Sequence, residues 1–99
     1  MVSSLRFEWD PRKAQQNARK HGVTFEDAQS AFFDEDGLVM ADPDHSQAEE
    51  RFVLLGATAR AKLVVVCHCH RGPDDVIRLI SARRANRREH ATYRTRSAQ

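Results

Sequence analysis

Residues 80–94 read Ile80-Ser81-Ala82-Arg83-Arg84-Ala85-Asn86-Arg87-Arg88-Glu89-His90-Ala91-Thr92-Tyr93-Arg94, and this stretch decides the predicted fold. Its apolar beginning ends a strand. Ser81 can cap a helix that follows, because its hydroxyl accepts a hydrogen bond from a backbone N–H of the first turn. On that helix Arg83, Arg87, His90 and Arg94 would share one face, since their spacing follows the helical period. The stretch therefore predicts a C-terminal basic helix with a cationic stripe.

The positive charge of the chain is concentrated at this end. Residues 78–99 contain seven arginines and one acid, whereas residues 1–77 contain nine lysines and arginines and thirteen acids. The formal net charge of +2 is thus the sum of a basic end and an acidic remainder. A basic surface is typical of proteins that bind phosphates or acidic segments, although a block of like charge is often only a solvated face.

Length and composition predict a single domain over residues 1–99, with 40% hydrophobic and 30% charged residues. The longest apolar run, residues 63–67, is far shorter than the ~20 residues that a membrane span needs. The N-terminus lacks the apolar region of a secretory signal. Cys67 and Cys69 lie too far apart along one predicted strand to bridge easily, and free thiols fit a reducing compartment. We therefore expect a cytoplasmic protein with no membrane association.

Capping signals and hydrophobic spacing predict an α+β fold with two N-terminal helices, an antiparallel β-meander sheet and the C-terminal basic helix. Asp10-Pro11 can begin the first helix and Gly22 can end it, and Thr24 can cap the second. Residues 38–80 are rich in Val, Ile and Leu, and their short connections favour antiparallel strands. We expect the helices to pack on one face of the sheet.

A register can be predicted for the last hairpin. If His70 lies opposite Val76, then His68 lies opposite Arg78, close to the start of the basic helix. Arg51 would lie at the same end of the sheet, because its strand begins beside the end of the next one. The sequence therefore predicts a compact cationic pocket, which a slip of one residue would break.

Several motifs, in order along the chain, resemble the BrnT family of toxins from bacterial type II toxin–antitoxin systems. They are Phe7-Glu8-Trp9-Asp10-Pro11-x-Lys13-Ala14, Lys20-His21-Gly22-Val23-x-Phe25-x-x-Ala28, Asp42-Pro43-Asp44-His45-Ser46, Glu50-Arg51-Phe52, His68, Arg78-x-Ile80-Ser81-Ala82-Arg83-x-Ala85 and Arg88-Glu89. The resemblance extends from Phe7 to about Tyr93 and implies a RelE-like ribonuclease fold. The chain departs from the family pattern at residues 67–70, where His70 stands in place of a frequent acid.

The resemblance also implies partners. They are an RNA substrate and a cognate antitoxin, expected to be of the ribbon-helix-helix type, that neutralises the toxin and represses the operon. Operator DNA would then be contacted only through the toxin–antitoxin complex.

Metal-free RNA cleavage needs a base for the 2′-OH, cations for the extra charge on the phosphate, and an acid for the leaving oxygen. His68 is the first candidate for base or acid, because imidazole titrates near neutral pH. Arg51 and Arg83 suit a phosphate clamp, since a guanidinium stays charged and binds two oxygens. Arg78 would do the same and would lower the pKa of His68 in contact with it. These four are the predicted catalytic residues.

The predicted RNA-binding residues are Lys20, His21, Arg84, Arg87 and Tyr93. Some of these candidate residues also have a purely structural interpretation. Lys20 and His21 are typical partners of a helix C-terminus, and Tyr93 can simply pack its helix. His68 can be a half-buried histidine bonded to a neighbour.

Cys67-His68-Cys69-His70 suggests a zinc site, but strand alternation places the cysteines on one side and the histidines on the other, two ligands each. We therefore expect no metal and no cofactor. The favoured function is a metal-independent endoribonuclease toxin that inhibits translation. The alternative is a non-catalytic nucleic-acid-binding module that uses the Arg-rich C-terminal helix, which salt-dependent binding without cleavage would identify.

Overall fold

The structure is a computed structural model that describes residues 5–45, 49–72 and 76–98. The strands are β1 (Arg6–Glu8), β2 (Leu38–Ala41), β3 (Phe52–Ala57), β4 (Leu63–Arg71) and β5 (Val76–Arg84), and the helices are α1 (Pro11–His21), α2 (Phe25–Gln29) and α3 (Arg87–Ser97). Short 3-10 helices span Ser30–Phe33 and Pro43–His45. The predicted α+β class is confirmed. Residues 46–48 and 73–75, within the two predicted loops, lie outside the described residues.

The five strands form one sheet in the order β1-β5-β4-β3-β2. From β2 to β5 the strands pair antiparallel, as the short connections predicted. β1 differs, because it pairs parallel with β5 over three residues, from Arg6 opposite Val76 to Glu8 opposite Arg78. A parallel pair needs a long connection, and the whole chain between β1 and β5 provides one. The sheet is therefore mixed rather than wholly antiparallel.

The predicted start and end of the first helix and the predicted start of the second are confirmed. The Asp10 side chain accepts from the Arg12 backbone N–H at 2.8 Å, and Pro11 is the first helical residue. Gly22 ends α1 with φ 70°, a conformation that glycine adopts without steric cost. Thr24 caps α2 by accepting from the Asp27 N–H at 3.0 Å. These signals act over four residues or fewer, so the sequence determines them locally.

The predicted start of the C-terminal helix is wrong. β5 continues to Arg84, which pairs with Val64, and Ser81 lies within the strand. The true cap is Asn86, which accepts from the Glu89 N–H at 2.9 Å while the Glu89 carboxylate accepts from the Asn86 N–H at 2.8 Å. β4 offers ladder partners as far as Arg84, and this reciprocal capping box then starts α3. Arg83 therefore lies on a strand, and the predicted helical stripe through Arg83 does not exist.

The predicted register of the last hairpin is also wrong, by one residue. His68 lies opposite Leu79, and it is Cys69 that lies opposite Arg78. Between Cys67 and His68 the ladder is irregular, because Cys67 pairs with Ser81 and the intervening Ile80 has no partner in the register. This β-bulge adds one residue to β5 and changes which side chains share a face.

The core lies between the sheet and the first two helices. Phe25, Val66 and Leu79 are almost completely buried there, and Ala82 belongs to the same cluster. We call the other side of the sheet the open face; it carries Val53, Val65, Cys67, Ser81 and Arg83. Arg83 on the open face binds Glu89 in the first turn of α3. The expectation that all helices pack on one face is therefore wrong, since the first turn of α3 lies on the opposite side from α1 and α2.

Candidate functional site

The open face carries a cavity of about 270 Å³, which we call the open-face cavity. Its charged and polar lining residues are Asp42, Arg51, Cys67, Ser81 and Arg83, and its apolar lining residues are Val53, Val65 and Ile80. Two guanidinium groups and one carboxylate thus meet over a floor of short side chains. Guanidinium groups bind phosphate oxygens in pairs, so this combination suits a phosphodiester.

Strand pairing positions the groups of this cavity. Val53 lies opposite Cys67, and Cys67 lies opposite Ser81, so one row across three strands forms the floor. Arg51 directly precedes β3, and its carbonyl accepts from the Asp42 backbone N–H at 2.8 Å. This bond holds the end of β2 beside the start of β3. The two charged side chains therefore rise at the same rim of the sheet.

Arg83 lines the opposite part of the cavity, where Glu89 orients it. Its two terminal nitrogens donate to the two carboxylate oxygens of Glu89, each at 2.8 Å. The hydrogen bond to Glu89 raises the pKa of Arg83, and the same bond lowers the pKa of Glu89. A bidentate pair fixes the plane of the guanidinium. Arg83 therefore has two tasks, because it lines the cavity and also ties α3 to the sheet.

The thiol of Cys67 is half-buried at the cavity floor. Burial raises its pKa, while the charge of Arg51 lowers it and that of Asp42 raises it, with a net increase. A thiol with a raised pKa stays protonated at neutral pH, and the thiolate is the nucleophilic form. Cys67 is therefore a small wall residue here rather than an activated nucleophile.

Arg78 does not join the open-face cavity. Its guanidinium donates to the Glu8 carboxylate at 2.9 Å, because the parallel pairing of β1 places the two residues side by side. The β-bulge puts Arg78 opposite Cys69 rather than His68. The predicted pair of His68 and Arg78 is therefore wrong, and Arg78 forms an ion pair at the β1 edge instead.

His68 lies on the helix-facing side of the sheet and is 1% exposed. Its ring centroid lies 4.8 Å from that of Phe32 and 6.1 Å from that of Phe52. Its Nδ1 lies 3.1 Å from the Val66 carbonyl oxygen. The predicted cationic pocket around this imidazole is wrong, because alternation along β4 sends Val66 and His68 into the core and Cys67 onto the open face.

The burial of His68 predicts a pH dependence of stability. Burial lowers the pKa of His68 below 6.5, the nearby His70 lowers it further, and the bond to Val66 opposes both. The unfolded chain therefore binds a proton at a higher pH than the folded chain does, so the free energy of unfolding should fall as the pH drops below 6.5. Urea denaturation from about pH 8 to about pH 5 measures this slope.

Two variants separate His68 from the other histidines in that experiment. His68→Phe should remove part of the slope, whereas His90→Gln, which alters an exposed residue of α3, should leave it unchanged. Equal slopes for His68→Phe and the wild type would show that His68 does not titrate differently on folding.

The predicted RNA-binding residues do not form one surface. Arg84 and Arg87 are exposed where β5 ends and α3 begins. The Tyr93 hydroxyl donates to the Asp34 carboxylate at 2.7 Å, and this bond raises the pKa of Tyr93 to about 12. Asp34 also accepts from the Ala57 N–H at 2.8 Å. Tyr93 therefore anchors α3 to the end of β3, as the structural interpretation expected.

Lys20 and His21 line a separate groove of about 280 Å³ between α1 and β5, which we call the α1 groove. Its lining residues from α1 are Lys13, Gln16, Asn17, Lys20 and His21. Ile80 and Ser81 complete it from β5.

The sequence alone did not place Asp42, Cys67 or Ser81 in the candidate site. In the sequence Asp42 stands out only as the first residue of the motif Asp42-Pro43-Asp44-His45-Ser46. Its proximity to Arg51 depends on the pairing of β2 with β3. No alternation on β4 itself identifies the open face, because Leu63, Val65 and Cys67 on one side are as apolar as Val64, Val66 and His68 on the other.

The zinc interpretation can be compared with the side-chain positions. The ring centroids of His68 and His70 lie 5.8 Å apart on one side of β4, and both cysteines are free thiols. Within residues 5–45, 49–72 and 76–98 there is no group of three or more His, Cys, Asp or Glu side chains that could hold a metal ion. In the same ranges we find no helix with the length and apolarity to cross a membrane.

Comparison with known proteins identifies the family. Residues 9–89 match the family model described as the ribonuclease toxin, BrnT, of type II toxin–antitoxin systems. The chain is also similar to the crystal structure of the Brucella abortus ribonuclease toxin BrnT, with a TM-score of 0.64 and 23% sequence identity over 85% of this chain and 100% of that chain. No curated protein matches the sequence. Because the family model covers most of the chain, this protein belongs to the BrnT family of ribonuclease toxins of type II toxin–antitoxin systems.

Proposed function

We propose that this protein is a metal-independent endoribonuclease that cleaves RNA in the open-face cavity and thereby inhibits translation. The observation that carries the proposal is the convergence of Arg51 and Arg83 on a cavity that also contains Asp42. Two fixed positive charges and one carboxylate supply most of what 2′-OH attack on a phosphodiester requires.

The arginines would stabilise the charge that develops on the phosphate. In 2′-OH attack a new bond forms from the 2′ oxygen to phosphorus, the bond from phosphorus to the 5′ oxygen breaks, and the 5′ oxygen takes a proton from solvent water to leave as a hydroxyl. The phosphate gains negative charge as the new bond forms, and guanidinium groups that are already oriented stabilise it with little reorganisation. Glu89 orients Arg83 in this way.

Asp42 is our candidate for the general base. It is the carboxylate among the described residues that line the cavity, and it lies at the rim beside Arg51. A carboxylate close to the 2′-OH can accept its proton while the arginines hold the phosphate. Asp42→Asn keeps the size of the side chain and removes the base, so activity should fall strongly. Asp44→Asn is a matched control, because Asp44 is an exposed neighbour that does not line the cavity.

In this proposal His68 and Arg78 are not catalytic residues. His68 is buried on the other side of β4 and Arg78 is paired with Glu8, so neither side chain reaches a phosphate in the cavity. Arg84 and Arg87 keep a supporting role, since exposed arginines where β5 ends and α3 begins attract the RNA backbone at low salt.

The family implies an antitoxin partner. We propose that a cognate antitoxin, of the ribbon-helix-helix type, neutralises the toxin by covering the open-face cavity with an acidic segment. The toxin would then contact operator DNA only through that complex. Because its substrate is cellular RNA, we place its action in the cytoplasm.

The decisive experiment incubates the purified protein with single-stranded RNA in the presence of EDTA. We expect products that end in a 2′,3′-cyclic phosphate and a 5′-OH, and no cleavage of an all-2′-O-methyl RNA of the same sequence, since that RNA lacks the nucleophile. Cleavage that requires added Mg²⁺ would contradict the metal-independent mechanism. Salt-dependent binding without products would instead identify the non-catalytic binding module.

A further inference from the structure

The α1 groove runs along an unpaired edge of the sheet. β1 pairs only with residues 76–78 of β5, so β1 does not cover the later part of that strand. Helix α1 lies beside that later part of β5 instead. The side-chain amide of Asn17 donates to the Ala82 carbonyl at 2.8 Å and accepts from the Ala82 N–H at 3.0 Å. Asn17 therefore satisfies the strand edge as a neighbouring strand would, and α1 is fixed beside it.

The α1 groove and the open-face cavity meet at the β-bulge. Ile80 and Ser81 line both depressions. Ile80 is the residue without a partner in the ladder, and Ser81 pairs with Cys67 on the open face. The two depressions are thus neighbours on either side of one strand edge. A flexible chain lying in the cavity can continue into the groove without leaving the protein surface.

The groove is positively charged. Lys13 and Lys20 line it, and the lining residues that the structure describes include no acid. Lys13 and Lys20 are seven residues apart and so lie on one side of α1, about 10 Å apart along its axis. The helix dipole accounts for basic residues near the C-terminus but disfavours one near the N-terminus, where Lys13 lies. The dipole alone therefore does not explain this row of charge.

We infer that the α1 groove is a second phosphate subsite, which holds the RNA backbone next to the cleaved bond. The inference depends on the proposed function, because it assigns the groove to the substrate of the open-face cavity. An RNA that occupies both sites must turn around the edge of β5 within a few nucleotides. A single strand can make this turn, whereas a base-paired helix is too stiff and too wide. The substrate class is therefore unpaired RNA that extends beyond the two nucleotides at the cleaved bond.

The test compares two double variants of α1. Lys13→Gln/Lys20→Gln removes two charges from the groove, and Arg12→Gln/Arg19→Gln removes two exposed charges from the same helix outside the groove. Binding is measured with a single-stranded 2′-O-methyl RNA of about twelve nucleotides, which cannot be cleaved. Cleavage is measured with a dinucleotide and with a single-stranded RNA of that longer length.

We expect the lysine variant to bind the longer RNA about tenfold to a hundredfold more weakly, with its salt dependence reduced by a slope of roughly 1.4, as for two lost phosphate contacts to a single strand. Its kcat/KM for the longer RNA should fall by a similar factor, while that for the dinucleotide stays unchanged. The arginine variant should resemble the wild type. Annealing the longer RNA to its complement should abolish the difference between the lysine variant and the wild type.

Two results would overturn the subsite. One is an equal loss in the lysine and arginine variants, which would indicate only general charge attraction. The other is a lysine variant that binds and cleaves the longer RNA as the wild type does. The proposed function fails separately, when the wild type cleaves no RNA of either length; the binding comparison of the two variants then still decides the subsite.

Discussion

Replacing Arg51 with alanine should reduce kcat/KM for RNA cleavage by about 10²- to 10³-fold, the usual loss when one preorganised donor to a developing charge is removed. Arg51 is the better test of the cavity than Arg83, because Arg83 also binds Glu89 and holds α3. Arg51→Lys should recover only part of the loss, since an ammonium keeps the charge but not the two-pronged geometry. Cleavage of a labelled single-stranded RNA under single-turnover conditions measures the effect.

Arg60→Ala is the matched control for this prediction. Arg60 is an exposed arginine in the turn between β3 and β4 and does not line the open-face cavity. The Arg60→Ala protein should cleave RNA at close to the wild-type rate. Circular dichroism and thermal melting of each variant separate a lost clamp from a lost fold. A folded Arg51→Ala protein with wild-type activity would remove Arg51, and with it the proposed phosphate clamp, from the mechanism.

Replacing Asn17 with leucine should cause the largest loss of stability among single changes outside the cavity. The Asn17 side chain is 7% exposed and makes three hydrogen bonds, two with the backbone of Ala82 and one to the carbonyl of Val23 at 2.9 Å. Leucine would leave all three backbone groups without these partners, each at a cost of about 1–3 kcal/mol. We expect the free energy of unfolding to fall by about 3 kcal/mol or more, and Tm by at least about 12 °C.

Gln16→Leu provides the control for Asn17→Leu. Gln16 is the preceding residue of α1 and is exposed, so the same kind of substitution there should change the free energy of unfolding by no more than about 0.5 kcal/mol. Thermal and urea unfolding of the two variants give the comparison. If both variants melt together, the pairing of Asn17 with the β5 edge does not stabilise the fold.

The caps of α1 and α2 show what short-range chemistry can predict. Asp10, Pro11, Gly22 and Thr24 each act on backbone groups within a few residues, so their positions follow from the sequence alone. The start of α3 had a signal of the same kind, since Asn86 and Glu89 have the spacing of a capping box. Ser81 also fits a cap when it is considered alone. The pairing of β5 with β4 excludes a cap at Ser81. Ser81 and the residues that follow, up to Arg84, pair with β4, which is an earlier segment of the chain.

The candidate site was predictable only in part. Arg51 and Arg83 were predicted as phosphate-binding residues, and both line the open-face cavity. Asp42, Cys67 and Ser81 were not predicted as site residues, because their proximity depends on the pairing of the four strands β2 to β5. His68 was placed with the arginines through a register that the β-bulge at Ile80 shifts by one residue. The bulge changed which residue of β5 lies opposite His68, whereas regular alternation along β4 placed His68 on the buried side and Cys67 on the open face.

The sequence by itself determined the family, the α+β class, the helix caps and the concentration of arginine near the C-terminus, since these depend on residue types and short spacings. Only the tertiary structure decided where the strand ends and the helix begins, which face of β4 meets solvent, and which arginines share a cavity. Each of these depends on hydrogen bonds between residues distant in the chain. The hydrogen bonds between β4 and β5 override the local preference of Ser81 for a helix cap, and no short window of sequence contains both partners.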